Sequence, residues 1–255
     1  MKNLFDLSGK TALVTGGSKG LGKAMALGLA HYGADLMICS RNADELNATA
    51  AEIAAATDQR VESVVADLAN RDDIDKLVEA CNEKFAAIDI LINNAGSNIP
   101  QLVAEITDEA WDQILQLNLS SCMALTRAFA PKMCERGWGR VIYISSIMGQ
   151  AGAPQRSIYS ATKAALMGMA RPQALELGTS GVTVNCIAPG PFLTDLPATV
   201  LSEEIRNHIG NRTALKRWGD IEELVGPILM LASDAGSYVT GTTITVDGGI
   251  LANVV

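Results

Sequence analysis

Residues 11–22 read Thr-Ala-Leu-Val-Thr-Gly-Gly-Ser-Lys-Gly-Leu-Gly, and this stretch decides how the chain is organised. An apolar run, Thr11–Thr15, leads directly into a turn with four glycines, and a segment with helical periodicity, Leu21–His31, follows. Glycine lets a backbone turn sharply and approach a ligand closely, while a helix start presents free N–H groups and a positive dipole end. A glycine-rich turn alone is weak evidence, but its place between a strand and a helix predicts a pyrophosphate site at Gly16–Gly22.

The same alternation continues along the rest of the chain. Six further short runs, rich in Val and Ile, have the pattern of parallel strands covered on both faces: Asp35–Ser40, Val61–Val65, Ile90–Asn93, Arg140–Ser145, Val182–Ala188 and Thr243–Val246. Helical periodicity is found between them, at Asp44–Ala56, Ile74–Phe85, Trp111–Met133, Ser157–Leu177 and Ile221–Leu231. This predicts one doubly wound α/β domain, residues 1–255, with about seven parallel strands and helices on both faces. The least regular stretch, about 192–218, is predicted to be a lid over the substrate, with an ordinary surface loop as the alternative.

Composition excludes several classes of protein. The chain has 255 residues, 48% of them hydrophobic and 19% charged, which suits a large buried core and not a disordered chain. The formal net charge of −8 makes nucleic acid or an anionic membrane a poor partner. We see no signal peptide and no run of the roughly 18 apolar residues that a bilayer span needs. The five cysteines lack metal or redox spacing, so we expect buried reduced thiols, no metal site and a cytoplasmic location.

The end of the second predicted strand bears on the choice of dinucleotide. A chain that selects NAD normally places an acidic residue there, against the adenosine ribose. This chain has Ser40 and Arg41 at that position, and Lys19 lies in the glycine-rich turn. A guanidinium and an ammonium group suit a 2′-phosphate, so we predict NADP(H), with NAD(H) less favoured. The alternative is that both cations are solvated surface residues.

Three residues predict the chemistry at the same edge of the sheet. Tyr159 and Lys163 are four apart near the start of a predicted helix, so they share one face of it. Ser146 directly follows the strand Arg140–Ser145, and ligands of parallel sheets bind beyond the carboxyl ends of the strands. A phenol ordinarily titrates near pH 10, so a neighbouring positive charge is what fits it for proton transfer at neutral pH. Taken singly, Tyr159 would be interpreted as an ordinary residue on a helix face and Ser146 as an ordinary turn hydroxyl.

Together the motifs resemble the short-chain dehydrogenase/reductase family in its single-domain form, over essentially the whole chain. They are Thr15–Gly22, Asp67-Leu68, Asn93–Gly96, Asn118, Ser146, Tyr159–Lys163, and Pro189-Gly190 followed by Thr194. The resemblance implies a Rossmann fold with strand order 3-2-1-4-5-6-7 and an NADP-dependent oxidoreductase that interconverts a secondary alcohol and a ketone. It also implies a homotetramer, with a dimer as the alternative. Apolar residues that belong either to the subunit interface or to the core are Trp111, Leu115, Leu119, Leu166 and Met169.

The resemblance further implies a role for each matching residue. Tyr159 would be the general acid during carbonyl reduction, Lys163 would stabilise the tyrosinate and bind the nicotinamide ribose, and Ser146 would hold the substrate oxygen. Asn118 would anchor a water that leads protons to Lys163. Besides Tyr159 and Lys163, the cofactor would contact Gly16, Ser18, Lys19, Gly20, Leu21, Gly22, Ser40, Arg41, Asp67, Leu68, Asn94, Ala95, Gly96, Pro189, Gly190, Phe192 and Thr194.

The substrate is the most open question. Candidates for its pocket are Ser97, Asn98, Met148, Gln150, Gln155, Arg156, Phe192 and Leu196. A polar pocket with one arginine suits a sugar acid, unless Arg156 points to solvent. The pattern from Arg217 to Gly249 is similar to subfamilies that act on gluconate and related sugar acids. It also resembles tropinone-reductase-like and 3-oxoacyl-carrier reductases, although the latter tend to have a basic residue where Ser180 stands. An alternative of another class is a module that senses NADP(H) without chemistry, but such proteins typically lose the tyrosine or the lysine.

Overall fold

A computed structural model describes residues 3–193 and 202–252. Seven strands in this part of the chain form one parallel sheet in the order β3-β2-β1-β4-β5-β6-β7. The strands are β1 Thr11–Thr15, β2 Asp35–Ser40, β3 Val61–Val65, β4 Ile90–Asn93, β5 Gly139–Ile144, β6 Val182–Pro189 and β7 Thr243–Val246. The predicted fold and strand order are therefore confirmed.

Eight α-helices are described, and six of them contribute to the cores on the two faces of the sheet. The eight helices are α1 Gly20–His31, α2 Ala43–Thr57, α3 Arg71–Lys84, α4 Asp108–Leu115, α5 Ser121–Arg136, α6 Ser157–Leu177, α7 Glu203–Arg212 and α8 Val225–Ala232. Successive residues of β1 show the two layers: Leu13 belongs to the core formed with α3, α5 and α6, whereas Ala12 and Val14 belong to the core formed with α1, α2 and α8. Alternate side chains of each strand thus serve opposite layers.

The predicted helix Trp111–Met133 is interrupted in the structure. Thr107 caps α4, the chain then passes through a π-helical turn at Gln116–Ser120, and α5 follows. Two side chains at this turn donate to the backbone carbonyl four residues earlier. The Ser121 hydroxyl donates to Leu117 O (2.6 Å), and the Cys122 thiol donates to Asn118 O (3.4 Å). Such side-chain bonds locally bend a helix, and π-turns often occur at functional sites. The apolar periodicity carried no sign of this turn.

The stretch 192–218, predicted as irregular, contains helix α7 in its described part. Ser202 accepts a hydrogen bond from the backbone N–H of Ile205, and Glu203 and Glu204 occupy the first turn. This N-terminal signal was present in the sequence, but the helix is almost wholly exposed, so it lacks the apolar periodicity on which the prediction relied. The predictions for Thr194 and Leu196 lie outside the described residues.

The cysteines are free thiols, and four of them, Cys39, Cys81, Cys122 and Cys186, are buried as predicted. No described helix is long and apolar enough to cross a membrane. Within residues 3–193 and 202–252 there is no group of three His, Cys, Asp or Glu side chains that could hold a metal ion.

A buried polar chain links β5 to the two helices behind it. The Tyr143 hydroxyl donates to Gln173 Oε1 (2.7 Å) and is bonded to Thr126 Oγ1 (2.8 Å), and all three side chains are buried. Burial raises the pKa of the Tyr143 phenol, so this group stays protonated and has a structural role.

We expect Tyr143→Phe to lower the free energy of unfolding by about 1–3 kcal/mol, because the Gln173 oxygen loses its donor inside the core. Urea unfolding followed by circular dichroism measures this. Tyr238→Phe is the matched control, because Tyr238 is fully exposed (103%) and its loss of a hydroxyl should change little. Equal stability of the two variants would contradict the importance of the buried chain.

Candidate active site

The turn after β1 accepts only glycine at several positions. Gly16 and Gly20 have left-handed φ angles of 64° and 55°. A Cβ at Gly22 would lie 2.0 Å from the Gly16 carbonyl oxygen, so no side chain fits there. Helix α1 starts at Gly20, and Lys19 provides no side-chain cap for it. The first N–H groups of α1 therefore face a bare, close-approach surface, which is the arrangement that binds phosphate groups.

Thr15 joins the end of β1 to the segment after β4. Its hydroxyl oxygen accepts hydrogen bonds from the backbone N–H groups of Asn94 and Ala95, both at 2.9 Å, and its hydroxyl group donates to Ile92 O (3.3 Å). The Asn94 amide donates in return to the carbonyls of Thr15 (2.8 Å) and Gly16 (3.2 Å). These bonds hold the glycine-rich turn and Asn94–Gly96 side by side at the carboxyl edge of the sheet.

A cleft of about 730 Å³ opens at this edge. Its lining contains thirteen of the predicted cofactor residues: Gly16, Ser18, Lys19, Gly20, Leu21, Gly22, Ser40, Arg41, Asp67, Leu68, Asn94, Ala95 and Gly96. It also contains Cys39, Asn42, Glu45, Ala66 and Leu117, which the sequence analysis did not select. Burial raises the pKa of the Cys39 thiol to about 12, so Cys39 is a neutral wall residue and not a nucleophile.

Glu45 is the most consequential residue that the sequence analysis missed. Its carboxylate lies 3.1 Å from Lys19 Nζ, so one of the two predicted phosphate-binding cations already has an anionic partner. Arg41 is exposed and forms no ion pair among the described residues. The prediction of the cofactor considered only the end of β2, where no acidic residue stands. Asn42 followed by Glu45 is the pattern of a helix N-terminus. That pattern would have placed the Glu45 carboxylate in the first turn of α2.

Asn118 connects three segments of the site. It is fully buried, and its amide donates to Ser97 O (2.9 Å) and to Thr162 Oγ1 (3.1 Å), while its carbonyl accepts from Ser97 N–H (2.9 Å). Asn118 is located in the π-turn, Ser97 after β4 and Thr162 in α6, next to Lys163. Three of the four hydrogen-bonding positions of this amide are thus used to join the chain segments.

Lys163 and Tyr159 lie together on α6, as predicted from their spacing. The Lys163 ammonium group is 5.6 Å from the centroid of the Tyr159 ring and donates to Ile144 O (2.7 Å) at the end of β5. Lys163 is 4% exposed and Ser146 is 8% exposed. The Ser146 oxygen accepts a bond from the Met148 N–H (3.1 Å), which leaves its own hydroxyl proton available.

Gly96 relates the cleft to two of the predicted catalytic residues, Asn118 and Lys163. It lines the cleft, and a Cβ added to it would lie 3.3 Å from Lys163 Nζ and 3.2 Å from Asn118 Oδ1. The cleft therefore ends against the ammonium group of Lys163. Gly96 follows Asn94, whose amide is bonded to the glycine-rich turn at Gly16 O. The contact of Gly96 with Lys163 therefore brings Lys163 close to that turn, although the two are far apart in the sequence.

Three further predicted cofactor residues, Pro189, Gly190 and Phe192, are not part of the cleft lining. Pro189 ends β6, and the Gly190 N–H donates to Val246 O (2.9 Å). Phe192 is 7% exposed, and a Cβ at Gly219 would approach its ring to 2.8 Å, so its side chain belongs to the core.

The predicted substrate residues differ in their hydrogen bonds, backbone conformation and burial. Gln150 is engaged, because its amide donates to Thr245 Oγ1 (3.0 Å). Asn98 has a buried amide nitrogen with no hydrogen-bond partner among the described residues. Gln155 has a left-handed φ of 64°, a strained conformation that is frequent near functional sites. Arg156 is half-buried and has no ion pair in the described part of the chain.

Comparisons with known proteins agree with this architecture. Residues 16–251 match a family model described as Enoyl-(Acyl carrier protein) reductase. The chain is 38% identical over 247 residues to a 3-oxoacyl-[acyl-carrier-protein] reductase of Synechocystis, covering 96% of this chain and 98% of that protein. It is 36% identical over 249 residues to a gluconate 5-dehydrogenase of Gluconobacter oxydans, covering 97% of each.

A solved structure is similar along its whole length. It is a gluconate 5-dehydrogenase of Burkholderia cenocepacia in complex with NADP and tartrate, with a TM-score of 0.92, 31% identity and 99% of both chains covered. This chain belongs to the short-chain dehydrogenase/reductase family, a family of oxidoreductases.

We expect Thr15→Val, which keeps the shape but removes the hydroxyl, to leave the N–H groups of Asn94 and Ala95 without their acceptor. The free energy of unfolding should fall by about 1–3 kcal/mol, and hydrogen exchange at those two amides should accelerate. Thr15→Ser keeps the hydroxyl and is the control. Unchanged protection of both amides in Thr15→Val would contradict the joining role of Thr15.

Proposed function

We propose that this protein is an NADP(H)-dependent oxidoreductase that interconverts a secondary alcohol and a ketone. The observation that carries the proposal is the closeness of Gly96 to Lys163: a cleft suited to a dinucleotide ends near an ammonium group, and that group lies 5.6 Å from the centroid of the Tyr159 ring. A module that only binds the dinucleotide would have no use for this group of polar side chains, and for that reason we favour an enzyme over a sensor.

The cleft fits a dinucleotide on two counts. The glycine-rich turn excludes side chains where a pyrophosphate would approach the backbone, and the uncapped start of α1 supplies N–H donors for it. Asp67 and Leu68 line the part of the cleft near β3, where the adenine would bind, and Asn94–Gly96 line the part near Lys163. The related structure from Burkholderia cenocepacia, which holds NADP, supports the assignment.

The residues around Lys163 divide the proton chemistry among them. When bound, the reduced nicotinamide supplies the hydride, which is the chemistry that amino-acid side chains lack. Ser146 donates a hydrogen bond to the carbonyl oxygen of the substrate, and Tyr159 gives its phenolic proton to that oxygen as negative charge develops. The Lys163 ammonium group stabilises the resulting phenolate, and Asn118 holds the segments around Lys163 in place through Ser97 and Thr162.

We expect Tyr159→Phe to lower kcat by about 10²–10⁴-fold, because the proton donor is lost, while the Kd for NADPH changes by less than about threefold. Steady-state assays and fluorescence titration measure the two quantities. Tyr238→Phe, at an exposed position, is the matched control. Turnover retained by Tyr159→Phe would assign the acid to another residue.

Changes at Arg41 and Glu45 should have opposite effects on the binding of NADPH. Arg41→Ala should raise the Kd for NADPH by about tenfold or more, the usual loss for a bond to a charged group, and leave the Kd for NADH within about twofold. Glu45→Gln removes a negative charge from the same end of the cleft and frees Lys19, so NADPH should bind about threefold more tightly. Equal effects on both cofactors would contradict a phosphate site here.

For the substrate we favour a sugar acid or a small polar ketone. Arg156 is half-buried and has no ion pair in the described chain, which suits it to bind a carboxylate, and Asn98 has a buried amide nitrogen without a hydrogen-bond partner among the described residues. The similarity to proteins named gluconate 5-dehydrogenase, one of them holding tartrate, supports this class. The principal alternative is reduction of a 3-oxoacyl group on a carrier protein, which the Synechocystis relative supports.

A panel assay separates these alternatives. Consumption of NADPH is measured with keto sugar acids, small ketones and 3-oxoacyl thioesters, each at the same concentration. The sugar-acid proposal requires the highest kcat/KM in the first group, and the highest value with thioesters would establish the carrier-linked alternative. Absence of turnover with every carbonyl, together with tight binding of NADPH, would establish the sensor.

Three further expectations accompany the proposal. We propose that residues 1–255 form a single domain, that the protein acts in the cytoplasm, and that it assembles as a homotetramer with a dimer as the alternative. Of the residues considered for an interface, Trp111 is 39% exposed and fits that role, whereas Leu166 is fully buried and belongs to the core.

A further inference from the structure

Ser145, next to the predicted tetrad residue Ser146, contacts Lys163 through the backbone. Ser145 is 3% exposed, and its hydroxyl donates to the Lys163 carbonyl oxygen at 2.7 Å. Its own N–H donates to Ile187 O of β6, also at 2.7 Å, which fixes Ser145 to the sheet. The hydroxyl of Ser145 therefore ties helix α6, at Lys163, directly to the sheet.

The neighbouring residue holds the other end of the same lysine. Ile144 O, the last carbonyl of β5, accepts the hydrogen bond from Lys163 Nζ at 2.7 Å. Two consecutive residues thus hold the backbone and the ammonium group of Lys163. Both holding groups lie at the end of one strand, so these two bonds fix the position of Lys163 relative to β5.

The chain immediately after Ser145 also packs on Lys163. A Cβ at Gly149 would lie 2.8 Å from the carbonyl carbon of Lys163 and 2.9 Å from its oxygen, so the 3₁₀ turn Ile147–Gly149 is in direct contact with this part of α6. Ser146 lies between the residue that holds Lys163 and the turn that packs on it. The distance from Ser146 to Lys163 and Tyr159 therefore depends on this contact.

We propose that Ser145 is a positioning residue, whose hydroxyl sets the place of Lys163 relative to Ser146 and Tyr159. The inference rests on the proposed function, because it concerns the proton chemistry of that site. The helical carbonyl of Lys163 has a second lone pair and a partner along α6, so loss of the Ser145 hydroxyl leaves no buried acceptor without a bond. The cost of that loss should therefore be seen in the geometry of the site more than in stability.

The test compares Ser145→Ala with Ser145→Thr, which keeps the hydroxyl, and with Ser233→Ala as the control. Ser233 is also fully buried and accepts a backbone bond from Ala235 (3.3 Å), but it lies near the start of β5, where its carbonyl accepts a bond from Arg140. With a carbonyl substrate, Ser145→Ala should lose about tenfold or more in kcat, with KM within about twofold. Ser145→Thr should recover most of kcat.

The comparison of kcat with stability separates positioning from a general loss of structure. A displaced Lys163 lowers kcat in a protein that remains folded and still binds substrate, so the melting temperature of Ser145→Ala should stay close to that of Ser233→Ala. A variant that merely loosened the fold would lower the melting temperature and kcat together. An unchanged kcat in Ser145→Ala would overturn the proposal.

A second readout needs neither cofactor nor substrate. Hydrogen exchange at the backbone N–H groups of Ser145 and Lys163 reports how firmly α6 is held to the sheet. It should accelerate in Ser145→Ala and stay at the wild-type rate in Ser233→Ala; no acceleration would overturn the positioning role even if carbonyl turnover were absent. If Ser145→Thr fails to fold, Ser145→Cys, with a weaker donor, should fall between wild type and Ser145→Ala. A protein that shows the faster exchange but reduces no carbonyl would refute the proposed function alone.

Discussion

The carboxamide of Asn118 is bonded to the segment after β4 at Ser97 and to helix α6 at Thr162, while it is itself part of the π-turn before α5. A buried amide in a medium of low polarity costs free energy unless its donors and acceptors are paired, so these bonds specify one arrangement of the three segments. The cleft wall, at Gly96, and the ammonium group, on Lys163, lie on two of those segments. The bonds of this amide hold the two segments side by side.

The bonds of Ile144 and Ser145 to Lys163, at the end of β5, have the same effect as the bonds of Thr15 at the end of β1. Each uses a group at the carboxyl end of a strand to hold a segment that carries part of the site: Thr15 holds Asn94 and Ala95, and Ile144 with Ser145 holds Lys163. Parallel strands bring all their carboxyl ends to one edge, so a single sheet can hold residues that are far apart in the sequence. The chain as a whole has a charge of −8, so the cations that would bind a phosphate have to act locally.

Much of this could be predicted from sequence because the signals were local or periodic. The strand, turn and helix from Thr11 to His31 and the four-residue spacing of Tyr159 and Lys163 required no knowledge of long-range contacts. The π-turn could not be predicted, since it depends on side-chain bonds of Ser121 and Cys122 to carbonyls within an otherwise regular apolar pattern. Helix α7 was missed because it is exposed and has no apolar face. The ion pair of Lys19 with Glu45 joins α2 to the glycine-rich turn, and only the tertiary structure shows that contact.

The central claim is that a carbon atom of a carbonyl substrate accepts hydride next to the Tyr159 phenol. The most direct measurement uses NADPH that carries deuterium at the transferable position of the nicotinamide, in a single turnover with the best substrate of the panel. We expect an alcohol product with one deuterium on the former carbonyl carbon, formed about 10²–10⁴-fold more slowly by Tyr159→Phe. Alcohol without deuterium, or intact labelled cofactor after prolonged incubation with every carbonyl, would contradict the central claim.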